Sequence, residues 1–229
     1  MSIQHFSKNP TGYCYSENER TQLAGICDRD HTVLFEDDPY RDLAYEPACR
    51  RPVCSYAASA YWIYQSSFSK TFAPGLRLGY LACSKALVKQ LTCLKQAADL
   101  HSGRLSQYLV YQQQSNPDNT ARLANLVSTY RKKRDLFHHY LDKHLSRQAE
   151  WDIPSGGLFY WLRLKNKVPI DTRQLLIKAL EHNVAFTPGE PFFADDVAAC
   201  GQFRLNFSLA NEHEMDTGLA ALAACISNG

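Results

Sequence analysis

The chain has 229 residues, 45% of them hydrophobic and 21% charged, and a formal net charge of +2. That length holds one large domain or two small ones with a proper core, and the near-neutral charge gives no basis for a nucleic-acid or membrane-surface partner. No apolar run approaches the ~18 residues of a membrane span, and the N-terminus lacks a basic-then-apolar leader. The eight cysteines are scattered, and the closest pair, Cys49 and Cys54, has no further ligands at zinc spacing. This is the composition of a cytoplasmic protein with reduced thiols and no metal.

In chain order, Met1 to Lys8 reads as a strand end leading into the turn Asn9-Pro10-Thr11-Gly12. Ser16 and Glu19 form a capping box that starts a helix running to Arg29. Thr32–Glu36, Tyr61–Gln65 and Leu78–Cys83 are β-rich, and their alternation with helix predicts a mostly parallel sheet. Ser84–Gln114 is helical, interrupted at Asp99-Leu100-His101-Ser102-Gly103-Arg104. A second helix spans Asp118–Arg147, with Leu123, Leu126, Tyr130, Phe137 and Leu141 at helical spacing. Its basic run Arg131-Lys132-Lys133-Arg134 reads as a solvated face. Beyond Trp151 come a strand at Leu158–Leu164, a helix at Asp171–His182, a short strand at Val184–Phe186, a strand at Phe203–Ser208 and a helix from Asn211. These predict a large domain over residues 1–120 and a small α+β domain over 121–229.

The most informative stretch is Ser66-Ser67-Phe68-Ser69-Lys70-Thr71-Phe72-Ala73-Pro74-Gly75-Leu76-Arg77-Leu78-Gly79-Tyr80. Lysine is a nucleophile only when neutral, and its free pKa of about 10.4 keeps it protonated at neutral pH. Burial beside cationic groups lowers that pKa and suits lysine for Schiff-base formation. Serine hydroxyls and a guanidinium fork form a phosphate-binding set. A phosphorylated aldehyde uses both halves, and pyridoxal 5′-phosphate is such a cofactor. Three further elements stand around this one: Asn9-Pro10-Thr11-Gly12, Leu34-Phe35-Glu36-Asp37-Asp38-Pro39-Tyr40, and Phe203-Arg204-Leu205-Asn206-Phe207-Ser208. In this order the four resemble the class I/II aminotransferases, fold-type I pyridoxal-phosphate enzymes. Pro154-Ser155-Gly156-Gly157-Leu158-Phe159-Tyr160-Trp161 and Val184-Ala185-Phe186-Thr187-Pro188-Gly189-Glu190-Pro191-Phe192-Phe193 are similar to the branch of 2-aminoadipate-type aminotransferases and the aminotransferase-like domains of winged-helix regulators.

The resemblance implies an α/β fold: a partial parallel sheet with helices, plus a small C-terminal domain. It implies Lys70 as the catalytic lysine, Asp37 beside the pyridine nitrogen, and Tyr40 and Asn9 on the cofactor's phenolic oxygen. It also implies Ser67, Ser69 and Arg77 on the phosphate, and Arg204 with Asn9 on the substrate carboxylate. Asp38 is expected to point away from Asp37, because successive strand residues face opposite sides. A homodimer is implied, with Ser102 and Arg104 reaching the partner subunit. His101 is expected to be an ordinary surface or packed histidine. Family members carry a large section before the Asn-Pro-Thr-Gly turn, with a phosphate-binding helix start and an aromatic residue stacked on the ring. The chain begins almost at that turn, so the expectation is a fragment or truncated product with weak activity alone. Three readings compete: an aminotransferase acting on an amino acid and a 2-oxo acid, a cofactor-binding sensor domain of a winged-helix regulator, and a non-catalytic interaction module.

Overall fold

The computed structural model describes residues 2–4, 9–46, 50–165, 170–194 and 200–227. They form two compact units: Tyr13–Ser128 with the N-terminal strand, and Asn9–Gly12 with the chain from Thr129 onward. The division falls later in the long helix than the sequence reading places it, and it gives the Asn9 turn to the second unit. Cys49 and residues 5–8 lie outside the described residues. Among the described residues no helix is long and apolar enough to cross a membrane, and no group of three metal-ligating side chains is present.

In the first unit, α1 (Glu17–Arg29) starts at the capping box: Ser16 Oγ accepts from Glu19 N at 3.3 Å, and Ser16 N donates to Glu19 Oε2 at 2.7 Å. Its Ala24 and Cys27 are fully buried against Leu34, Val53, Cys54 and Tyr64. Burying one side chain such as Leu34 contributes about 1.5–3 kcal/mol, so this cluster anchors the helix to the sheet. Strands β1 (Ser2–Gln4), β2 (Leu34–Asp37) and β3 (Trp62–Ser67) are parallel neighbours, whereas β4 (Gly79–Cys83) runs antiparallel to β3. The connection over residues 68–78 folds back on itself, Phe68 N donating to Leu78 O at 3.1 Å, so β4 returns alongside β3 in the opposite direction. At the start of β4, a Cβ on Gly79 would lie 2.6 Å from Ser66 O. Only glycine permits that approach, which sets Ser67 opposite Gly79.

The helical stretch after β4 divides into α2 (Val88–Asp99) and α3 (Arg104–Ser115), with Leu100 at φ +60° between them. The helix α4 (Asn119–Leu145) follows and continues into the second unit. That unit has an antiparallel sheet ordered β5 (Ala149–Trp151), β6 (Phe159–Leu164), β8 (Gln202–Asn206), β7 (Thr187–Pro188). Its helices α5 (Thr172–Glu181) and α6 (Glu212–Ser227) contribute buried Leu175, Ala179, Leu219 and Leu222. The core rings of Phe137 and Tyr160 stack at 5.6 Å, and Phe207 lies 5.8 Å from Tyr160.

Two sequence expectations need correction here. The segment 184–186 is not a strand, and pairing with β8 is confined to Thr187 and Pro188. Pro188 has no N–H with which to extend the ladder. The basic run on α4 is not wholly solvated: Arg134 is buried and donates to Pro154 O at 3.0 Å, and Lys133 Nζ donates to Ser208 O at 2.8 Å. Both bonds satisfy carbonyls that have no strand or helix partner, which explains why cations face inward.

The start of β3 is held by Asp28 at the end of α1. Its carboxylate accepts from the backbone N–H groups of Ala58, Ser59 and Ala60 at 2.9, 2.8 and 2.7 Å. These bonds to the ionised form lower its pKa to about 2. The folded value lies below the unfolded value of about 3.9, so the stabilisation is complete above that pH. It is lost as pH falls through about 2. We therefore expect the urea midpoint of the wild-type chain to fall more steeply than that of Asp28→Asn as the buffer goes from roughly pH 5 to pH 2. Parallel declines of the two proteins, followed by circular dichroism, would contradict this account.

Candidate active site

Lys70 lies in the turn that directly follows β3 and is half-buried. The turn closes on itself: Phe68 N donates to Leu78 O at 3.1 Å and Phe72 N to Phe68 O at 2.9 Å. Arg122 holds it from α4, its Nη1 donating to Thr71 O at 2.8 Å and its guanidinium lying 5.7 Å from the Phe72 ring. The Lys70 amine sits 5.8 Å from the centre of the buried Tyr40 ring. Among the described residues no carboxylate lies within ion-pair distance of that amine. The fold thus brings Lys70 and Tyr40 together.

Ser67 and Ser69 flank the same turn, with Ser69 N donating to Ser67 Oγ at 3.1 Å. Arg77 adopts a left-handed conformation at φ +49° as the cap of the 3-10 turn Pro74–Leu76. Its side chain is exposed, and Nη1 donates to Pro74 O at 3.3 Å. The guanidinium fork is therefore still mostly open to solvent. Hydroxyls, a turn N–H and a guanidinium close in sequence make a donor set suited to an anion.

The three consecutive acids of β2 and its end have different partners. Glu36 is fully buried, and its two oxygens accept from Val53 N at 2.9 Å and Cys54 N at 3.0 Å. Asp38 is also fully buried and accepts from Tyr64 Oη at 3.1 Å. Burial, and then the Asp38 carboxylate, push the Tyr64 phenol pKa upward. Asp37 is half-buried and accepts from Gln65 Nε2 at 3.1 Å. Strand alternation accounts for the difference, since Glu36 and Asp38 share the inner face with Leu34.

The second unit holds the other cluster. Arg204 on β8 donates through Nη1 to Asn9 Oδ1 and through Nη2 to Thr187 Oγ1 at 3.0 Å. Its guanidinium lies 4.1 Å from the Phe159 ring centre and 5.7 Å from that of Phe192. Sequence reasoning named Asn9 and Arg204 but missed Thr187 and the two rings. The Phe-Thr-Pro-Gly and Phe-Tyr-Trp runs contain these residues, yet only β-pairing sets Thr187 opposite Arg204. Ser102 lies between α2 and α3 and Arg104 opens α3 as an exposed residue. Nearby, His101 is exposed, with Nδ1 3.1 Å from Ser102 O.

Residues 7–222 match the family described as aminotransferase class I and II. An uncharacterized aminotransferase of Saccharolobus solfataricus is 32% identical, covering 100% of this chain and 56% of its own length. An uncharacterized HTH-type transcriptional regulator of Bacillus subtilis is 28% identical over 94% of this chain and 43% of its own. The structure of the α-aminoadipate aminotransferase LysN of Thermus thermophilus, complexed with N-(5′-phosphopyridoxyl)-L-leucine, matches with a TM-score of 0.90 at 29% identity. That match covers 99% of this chain and 58% of LysN, and it shows the expected α/β fold. The chain spans about half the length of the curated relatives it matches.

The contrast between the two aspartates gives a stability test. Asp38→Ala leaves the Tyr64 hydroxyl buried without its acceptor and should cost about 1–3 kcal/mol. Asp37→Ala exposes an amide that water can reach and should cost under about 1 kcal/mol. Urea unfolding of both variants measures the difference, and equal losses would show that the two side chains do not have the separate roles described.

Proposed function

The chain belongs to the class I and II aminotransferases, and we propose that it carries pyridoxal-phosphate-dependent transfer of an amino group between an amino acid and a 2-oxo acid. The observation that carries this reading is the half-buried Lys70 amine, over the Tyr40 ring and outside any carboxylate's reach among the described residues. A carboxylate in contact would hold the ε-ammonium and compete with Schiff-base formation, so its absence among the described residues leaves Lys70 open to an aldehyde. The donor set beside it fits a phosphate. Ser67, Ser69 and Arg77 would hold that group, Asp37 the pyridine nitrogen, and Tyr40 and Asn9 the phenolic oxygen.

When bound, the cofactor supplies an electrophilic carbonyl carbon and an electron-accepting ring. Asp37 would face the ring nitrogen and favour its protonated form. Lys70, once released as an amine, would carry the proton between the substrate α-carbon and the cofactor's C4′. Arg204 holds the α-carboxylate through its planar fork, a geometry that lysine does not offer. The neutral oxygens of Asn9 and Thr187 orient that fork without cancelling its charge. Ser102 and Arg104 are assigned to a neighbouring subunit's site in a homodimer, and the setting is the cytoplasm.

A second reading, a cofactor-binding sensor without turnover, is supported by the similarity to the HTH-type regulator. Both readings place the cofactor on Lys70. Borohydride reduction in the presence of pyridoxal phosphate, followed by peptide mapping, should put the phosphopyridoxyl label on Lys70 and lose it in Lys70→Ala. Label on a different lysine would overturn the assignment. Release of 2-oxo acid from an amino acid, measured with a coupled dehydrogenase, then separates the readings, because a sensor releases none.

A further inference from the structure

The two-residue strand β7 supplies the Thr187 hydroxyl that Arg204 meets, yet its own ladder is a poor anchor. Within this described segment, Thr187 and Pro188 are the residues that pair with β8, and Pro188 donates nothing to the ladder. What holds the segment lies just beyond it. Gly189 N donates to Thr172 Oγ1 at 3.1 Å, and a Cβ on Gly189 would lie 2.4 Å from Gln202 O. Glu190 is buried, and its carboxylate accepts from Thr172 N at 2.8 Å and from Thr172 Oγ1 at 2.6 Å. Thr172 is fully buried at the first turn of α5, where a helix N-terminus favours an anion.

We propose that Glu190 and Thr172 form a latch that positions Arg204, by seating Gly189 on β8 so that Thr187 and Phe192 meet the guanidinium. Glu190 opens the short 3-10 turn that ends at Phe192, whose N donates to Gly189 O at 2.9 Å. The same turn therefore places the Phe192 ring 5.7 Å from the guanidinium and 5.8 Å from the Trp161 ring. Trp161 lies directly opposite Arg204 on β6 and donates through Nε1 to Gln202 Oε1 at 3.0 Å. Glu190 and Thr172 do not meet the guanidinium in this arrangement, so they are positioning residues. The inference deepens the reading in which Arg204 takes the substrate carboxylate, and rests on it for its relevance to catalysis.

The test is the rate at which phenylglyoxal modifies Arg204 in the full chain, resolved by peptide mass spectrometry. Glu190→Ala and Thr172→Val should speed modification of Arg204 roughly three- to tenfold, as expected for losing one or two positioning hydrogen bonds. Thr172→Ser keeps the hydroxyl. Glu190→Gln keeps an acceptor for Thr172 N and can donate to Thr172 Oγ1, whose own proton then turns to Gln202 O, 3.1 Å away. Both conservative variants should stay within about twofold of wild type. Buried Arg134 reports on the fold itself and should not change. An unchanged Arg204 rate in both disruptive variants would overturn the proposal, as would a rise at Arg134 in step with Arg204. The carboxylate reading has its own arm: 2-oxoglutarate should protect Arg204 in the wild-type chain. Failure of that protection would count against the reading, while the comparison among variants would still decide the latch.

Discussion

The position of Lys70 depends on the placement of one strand, β3, between β2 and β4. Asp28 fixes where the strand begins by taking three backbone N–H groups. Asp38 holds the Tyr64 hydroxyl in the strand's middle. The contact between Gly79 and Ser66 sets its exit. The first two clamps satisfy backbone N–H groups and a buried phenol, and the third is a steric limit that only glycine meets. Together they decide where the strand stops, and Lys70 stands in the turn that follows.

The same chain segment shows how three neighbouring acids acquire different work. Glu36 and Asp38 face inward, Glu36 accepting from two backbone amides through both oxygens and Asp38 from a phenol through Oδ2, so their charge serves the fold. Asp37 faces the other way, keeps partial exposure and accepts from a neutral amide. The difference is one of strand parity rather than of chemistry, because the side chains of Asp37 and Asp38 are the same.

In the second unit the corresponding constraint is on a cation. Arg204 meets side-chain oxygens that carry no charge and aromatic faces that favour a guanidinium without neutralising it. Such contacts orient the planar fork, so each hydrogen bond it makes costs less ordering entropy.

The sequence by itself determined most of the helices and strands in their order, though not β5, and the capped start of α1; through the family resemblance it also named the residues expected to carry the chemistry: Lys70, Asp37, Tyr40, Arg77, Asn9 and Arg204. Such features are local. Hydrophobic period, a capping box and a three-residue spacing from Asp37 to Tyr40 are written in neighbouring positions and need no knowledge of the fold. Other features depended on which segments pack together. The burial of Arg134, the retreat of the short strand from 184–186 to Thr187–Pro188, and the dependence of that strand on Thr172 and Glu190 could not be read from spacing. Nor could the approach of the Lys70 amine to the Tyr40 ring, or of Thr187 to Arg204. Those contacts join residues far apart in the chain, and the strand register that creates them is settled only when both faces of each sheet find their partners.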